Sequence, residues 1–267
     1  MSDSNAQSSI LLSVPTAVGR AVLDLLTEVG CISRFLFQSI REGIRPPYRI
    51  RDVLRQMEVL GVNSLPVVLI TAVFTGMVLA LQSYTGFKRF SAESLVGTVV
   101  ALSMTRELGP VLTGLITSGR AGASIAAELG TMRVTEQIDA LTTMGVSPVK
   151  YLMVPRIIAG IIMLPILVIF ADVVGIAGGY FVGVEILDAN PTVYLKRTFD
   201  YLEAQDIISG LIKASVFGGF IALISSYKGF TADGGAEGVG RATTGAVVLS
   251  SMAVLISNYF LTSVLSG

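Results

Sequence analysis

Five stretches of this chain stay apolar for longer than a soluble helix needs, and that restricts the fold more than any single motif. They run from about Val62 to Tyr84, Ser94 to Thr131, Tyr151 to Ile186, Ile207 to Tyr227 and Ala242 to Leu265. The first holds about 23 residues, enough at 1.5 Å per residue to cross a hydrocarbon core ~30 Å thick. Only 14% of the 267 residues are charged and 52% are hydrophobic, far from the balance of a soluble domain. The chain therefore reads as an all-α integral membrane protein. The second stretch is too long for one plain span and is interrupted at Arg106–Pro110 and at Gly119-Arg120. The expectation there is one bent or broken crossing, its break facing protein or a cavity, which makes five crossings in all.

The same composition excludes several function classes. Net charge is zero, so bulk charge predicts no nucleic-acid partner. One cysteine, Cys31, rules out an intramolecular disulfide framework. Histidine is absent, which removes the commonest general base and metal ligand, and neither a catalytic set nor a metal or cofactor site is expected. The 28 glycines fit close helix packing, and Gly175, Gly179 and Gly183, spaced by four, mark one such face. Met1 to Ser9 is polar without lysine or arginine and does not read as a secretory signal.

From about Val14 to Ile44 apolar residues such as Val18, Val22, Leu25, Val29, Ile32, Leu36 and Ile40 recur at helical spacing. Arg20, Asp24, Glu28, Arg34, Gln38, Arg41 and Glu42 occupy the other face, and Pro46-Pro47 ends the segment. That many charges argue against a span and for an amphipathic helix in the membrane interface; a soluble helix packed on a partner is the other reading. We therefore divide the chain into residues 1–60, tail and interfacial helix, and residues 61–267, a five-helix transmembrane domain. Lysines and arginines crowd the segments holding Arg20–Arg55, Arg133–Arg156 and Lys228–Arg241, while the alternate connections hold only Lys88, Arg89, Lys196 and Arg197. The asymmetry predicts a cytoplasmic N-terminus and, after five crossings, a C-terminus on the far side.

Charges within the apolar runs are the candidates for function, because each is costly there unless something compensates. Arg106 and Glu107 are adjacent, so on a helix they point about 100° apart and each needs a partner on another helix or a wet cavity. Arg120 and Glu128, two turns apart and separated by small residues, read as packing positions. Asp172, mid-span, is either a proton or ion site or a side chain hydrogen-bonded within the bundle. The connection Arg133–Pro148 reads as a short amphipathic helix, polar at Arg133, Glu136, Gln137 and Asp139, apolar at Ile138, Leu141 and Met144, and stopped by Gly145 and Pro148. Gly235–Ala242 has the glycine spacing of a phosphate loop, but Arg241 and Ala242 stand where Lys and Ser or Thr are required, so it is rejected. Energy from ATP would have to come from another chain.

Several motifs occur together in order. These are Gly76–Gln82, Arg106–Val111, Gly119–Gly122 through Ala127–Gly130, Met132–Gln137, and Gly240–Thr244. The set resembles the MlaE family, permeases of bacterial ABC systems that move phospholipids across the cell envelope. The spacing Asp139-Ala140-Leu141-x-x-x-Gly145 also resembles the coupling loop of ABC importer permeases, although a plain connecting helix would look the same. The resemblance implies a homodimer in the bacterial inner membrane, with its N-terminus cytoplasmic and its C-terminus periplasmic. It implies a cytoplasmic ABC ATPase that binds the ATP, a periplasmic MCE-domain protein, a small cytoplasmic STAS-domain protein, and phospholipid as cargo.

It further implies roles for residues. Arg106 and Glu107 would border a lipid cavity as gating or headgroup-contacting groups, with a structural interhelical pair as the alternative. Gln82 and Tyr84 resemble positions at the cavity mouth. Leu81, Met77 and Val78 would supply an acyl-chain wall, though lipid-facing residues have the same composition. Arg133, Glu136, Asp139, Ala140, Leu141 and Gly145 would form the ATPase-coupling loop. An ion-coupled secondary transporter and a non-transporting membrane scaffold remain as alternatives from other classes.

Overall fold

The computed structural model describes residues 3–46, 49–90 and 92–265; in the first helix, side chains are described at Gly19, Val22 and Leu23, and from Leu26 onward. All regular structure among these residues is helical. We number the elements α1 (Asp3–Gly43), α2 (Ile50–Phe90), α3 (Glu93–Val134), α4 (Gln137–Thr143), α5 (Val149–Ile186), α6 (Pro191–Tyr201), α7 (Ala204–Phe230) and α8 (Gly235–Leu265). Five of them, α2, α3, α5, α7 and α8, are long and apolar enough to cross a membrane. The second apolar stretch is a single crossing, α3.

Local chemistry explains where these helices change character. In α2 the α-helix Ile50–Leu60 gives way at Gly61 to a 3-10 turn, and the spanning part restarts at Leu65 with Pro66 in its first turn, where no N–H is needed. The 42 residues of α3 would run about 60 Å as a straight helix, twice the hydrocarbon thickness. Its two sequence interruptions are π-helical turns, Met104–Leu108 and Ser118–Gly122, and the helix stays continuous through both. It is not broken. Such turns widen the backbone and free carbonyls for outside donors.

The central helix of the bundle is α5, packed closely on two neighbours. A Cβ on Gly76 of α2 would lie 1.8 Å from the Gly175 carbonyl oxygen, and a Cβ on Gly218 of α7 would lie 2.1 Å from that of Gly160. Backbones meet directly at both crossings; the spaced glycines predicted the first of them. By contrast α8 is hardly buried: 11% of its most apolar stretch is covered, against 50% for α7.

One face of α1 lies against the bundle. Ile32, Phe35 and Leu36 pack on Val149, Met153 and Leu223, the Phe35 ring meets Tyr227 and Phe230 edge-on, and Glu28 pairs with Lys228. Val22, Val29 and Ile40 stay exposed. The side chains of Val18, Arg20, Asp24 and Leu25, counted toward the two faces in the sequence, lie outside the described residues, as do Pro47 and the C-terminal Ser266-Gly267. The short helix α6 lies in a stretch read only as a connection. Asn190 caps it by accepting from the Thr192 and Val193 N–H groups, and Pro191 fills its first position. Tyr194 inserts against Gly183; its burial pushes the phenol up to about 12, so it stays neutral.

Candidate functional site

The first π-turn of α3 organises a cluster of four ionic groups. Pro110 has no N–H to offer the Arg106 carbonyl four residues earlier. The Lys213 ammonium, on α7, donates to that carbonyl at 2.8 Å instead. It also donates to Glu107 Oε1 at 2.7 Å and to Thr262 on α8 at 2.8 Å. Glu107 accepts further bonds from the Thr262 hydroxyl at 2.9 Å and the Asn258 amide at 2.8 Å. One carboxylate thus ties α3, α7 and α8 together. Lys213 is 2% exposed and Glu107 39%, so the cation is the buried member of the pair.

Arg106 turns to a different acid. Its Nε and Nη2 both lie 2.6 Å from Asp206 Oδ1. Asp206, in the first turn of α7, also accepts from the Glu203 N–H as half of a capping box. The adjacent ions of α3 therefore do not pair with each other, as their angular separation required. Asp206 and Lys213 stand seven residues apart, two turns along one face of α7, which lets a single helix answer both. Two cations offset two anions.

These groups line a cavity of about 570 Å³ bounded by α3, α7 and α8, with Leu102, Ser103 and Leu265 adding to its wall. Sequence reasoning missed Lys213, Asp206, Asn258 and Thr262. Their signals were present: a lone lysine in the fourth apolar run, and an amide and a hydroxyl four residues apart in the fifth.

The α2 residues expected beside them lie elsewhere within one chain. Val78 and Gln82 line a separate groove of about 470 Å³ with Phe74 and Leu108, and Leu81 is exposed. Met77 and Tyr84 pack against the core formed by Val100, Ala171, Val182 and Tyr194. The two sets share only the π-turn: Glu107 faces one hollow, and Leu108, the next residue, faces the other.

The remaining charges of the apolar runs divide. Arg120, at the second π-turn, donates to Ser64 at 3.0 Å and to the Val59 carbonyl at 3.2 Å, capping the interrupted end of α2. Glu128 pairs at 2.8 Å with Arg156, itself 3% exposed. Asp172 is 8% exposed, and its Oδ1 accepts no hydrogen bond among the described residues. That oxygen lies so close to Gly109 that a Cβ there would meet it at 1.9 Å.

The connection after α3 contains the expected helix, α4. Ile138 is its buried anchor, and Ile138 and Leu141 pack with Leu60, Ile125, Leu129 and Leu152. Arg133 pairs with Asp139 at 2.6 Å across the turn. Glu136 takes a left-handed conformation (φ 61°) to start the helix, and Gly145 takes another (φ 75°) beyond it. Glu136, Asp139, Ala140 and Gly145 all face outward. Met144, placed on the apolar face by periodicity, is 67% exposed instead, because the helix ends at Thr143. Gly235–Ala242 lies in the first turns of α8, so it forms no phosphate-binding loop.

A family model described as Permease MlaE matches residues 53–264. A probable ABC transporter permease protein of Rickettsia felis is 56% identical over 253 residues, covering 95% of this chain and 98% of the relative. A probable ABC transporter permease protein of Synechocystis is 46% identical over 211 residues, covering 79% and 80%. The intermembrane phospholipid transport system permease protein MlaE of Haemophilus influenzae is 36% identical over 261 residues, covering 97% and 99%.

Proposed function

The chain belongs to the MlaE permease family, and from that premise we propose that it is the membrane-spanning subunit of an ABC transporter that moves phospholipids. The substrate passes by the cavity between α3, α7 and α8. The observation that carries this reading is the ionic cluster at the first π-turn, where a permease-length bundle keeps a buried ammonium and a half-exposed guanidinium beside an open hollow. Arg106 uses Nε and Nη2 on Asp206. Its remaining donors are available to a phosphodiester, which guanidinium recognises well. Val78, Gln82 and Leu81 supply apolar wall and mouth when a second copy closes the groove on α2.

The assembly is a homodimer in the bacterial inner membrane, with α1 in the interface, the N-terminus cytoplasmic and the C-terminus periplasmic. The uncovered face of α8 supports a second copy, and the lysine and arginine asymmetry supports the orientation. The names of the relatives support an ATPase partner. The outward residues of α4 (Glu136, Asp139, Ala140) with Met144 and Gly145 receive that partner, while Ile138 passes its push to α3 and α5. A periplasmic MCE-domain protein accepts or delivers the lipid, and a small STAS-domain protein completes the cytoplasmic side. ATP is bound and hydrolysed by the partner, and this chain needs no cofactor.

Net movement requires two states with different lipid affinity. Collapse of the cavity removes burial of the acyl chains, about 0.8 kcal/mol per methylene, which drives the lipid out. Reconstituted in liposomes with its ATPase and periplasmic partner, the wild-type chain moves fluorescent phospholipid only with ATP. Glu107→Ala inserts normally but loses most of that movement, and Arg106→Gln, which leaves the Lys213–Glu107 pair in place, slows it severalfold. Wild-type rates in both variants would refute the site.

A further inference from the structure

A second lipid-shaped hollow lies where the end of α1 meets the starts of α2 and α5. It shares no lining residue with the Arg106–Glu107 cavity. Two compartments, of about 220 and 270 Å³, lie side by side and share Gly43, Val154 and Ile158 in their walls. The larger is walled by aliphatic side chains, among them Leu36, Ile40, Ile157 and Ile161. Its one hydroxyl, Ser39, is already bonded to the Phe35 carbonyl of its own helix at 2.8 Å, so the wall offers no spare donor. The smaller compartment has an apolar floor including Ile50 and Val53, and a rim of Arg45, Arg49 and Lys150 against the single acid Glu42.

The three cations are arranged rather than scattered. Arg49 is held by Asp52 at 2.5 Å and lies over the Tyr151 ring, 3.8 Å from its centroid, which fixes the guanidinium plane. Lys150 is steered across the gap by the Pro46 carbonyl, which accepts from its Nζ at 2.9 Å. Arg45 has no acidic partner among the described residues. With Glu42 and Asp52 counted, the rim keeps a net positive charge.

Chemistry selects the occupant. A small anion would use the rim and leave the aliphatic compartment empty. A peptide would press unsatisfied backbone groups against Ile40, Ile157 and Ile161. A molecule with an anionic head and an aliphatic tail satisfies both ends, and cationic pockets between membrane helices bind such lipids. We propose that this groove holds one anionic phospholipid of the leaflet in which α1 lies. Its phosphate sits among Arg45, Arg49 and Lys150, and an acyl chain lies along the Ile40–Ile161 compartment. It is a resident lipid that seals α1 to α5, separate from the transported one. The proposal rests on the membrane reading of the chain and not on the transport reading.

Native mass spectrometry of the delipidated full-length chain, with dioleoylphosphatidylglycerol or dioleoylphosphatidylcholine added back, tests it. The wild-type chain should retain the phosphatidylglycerol over the phosphatidylcholine by about fivefold for each cation engaged. Arg45→Gln/Lys150→Gln should bring the two lipids to parity. Ile158→Trp fills the compartment with the rim intact, and should weaken retention about fourfold for each methylene that loses contact. Arg106→Gln, which removes the cation that meets lipid phosphate in the transport cavity, should leave the preference unchanged, which separates this site from that cavity. Equal retention of the two lipids by the wild type would overturn the proposal. So would a preference that survives Arg45→Gln/Lys150→Gln, that disappears in Arg106→Gln, or that inorganic phosphate abolishes at equal concentration.

Discussion

Removing the ammonium of Lys213 should cost less than removing the carboxylate it binds, and the difference follows from burial. In Lys213→Met the Arg106 carbonyl loses its donor, a penalty of about 1–3 kcal/mol for a buried unsatisfied group. Glu107 loses its cation but keeps Asn258 and Thr262, and its side chain is 39% exposed, so water recovers part of the loss. A total of roughly 2–4 kcal/mol is expected, below the sum of the separate penalties. In Glu107→Gln the charge left behind is an ammonium 2% exposed, with only neutral acceptors around it. That is the uncompensated buried ion, and about 3–5 kcal/mol is expected. The double variant Glu107→Gln/Lys213→Met buries no charge at the pair and should lie well below the sum, giving a coupling of roughly 2 kcal/mol. Unfolding by SDS in mixed micelles, followed by far-ultraviolet circular dichroism because the chain has no tryptophan, measures all four proteins. A Lys213→Met change within about 0.5 kcal/mol of wild type, or singles that add to the double, would refute the reasoning.

The other expectations are simpler. Gly76→Ala drives a Cβ into the Gly175 carbonyl and should destabilise the chain by about 1–3 kcal/mol or more, whereas Gly86→Ala, with nothing within 4 Å, should be neutral or slightly stabilising in the same titration. Ile138→Asp buries a charge at the anchor of α4 and should lower both stability and transport. Met144→Asp, on the exposed side, should leave stability within about 0.5 kcal/mol while weakening pull-down of the ATPase partner. Equal effects of the two on stability would show that α4 does not dock as described.

The legible part of the site was the part written in consecutive residues. Pro110 removes a backbone donor wherever it sits, so the disturbance at Arg106–Pro110 could be placed before any packing was known. The angle between neighbouring residues on a helix likewise excluded an Arg106–Glu107 pair. Met144 went astray because periodicity assumes that the helix continues, and α4 stops at Thr143. The short helix α6 escaped because its signals, Asn190 and Pro191, sit in a segment judged only for its charge.

Long apolar runs, few charges and spaced glycines dictated by themselves that this chain forms five crossing helices with close backbone contacts. Lipid leaves the backbone no other way to satisfy its hydrogen bonds over such lengths. Only tertiary structure decided which helix meets which. The choice of Lys213 and Asp206 by Glu107 and Arg106 depends on the rotation and tilt of α7 against α3. Those are set by side-chain packing over the whole bundle, centred on contacts such as Gly160 with Gly218, and no local run of sequence contains them.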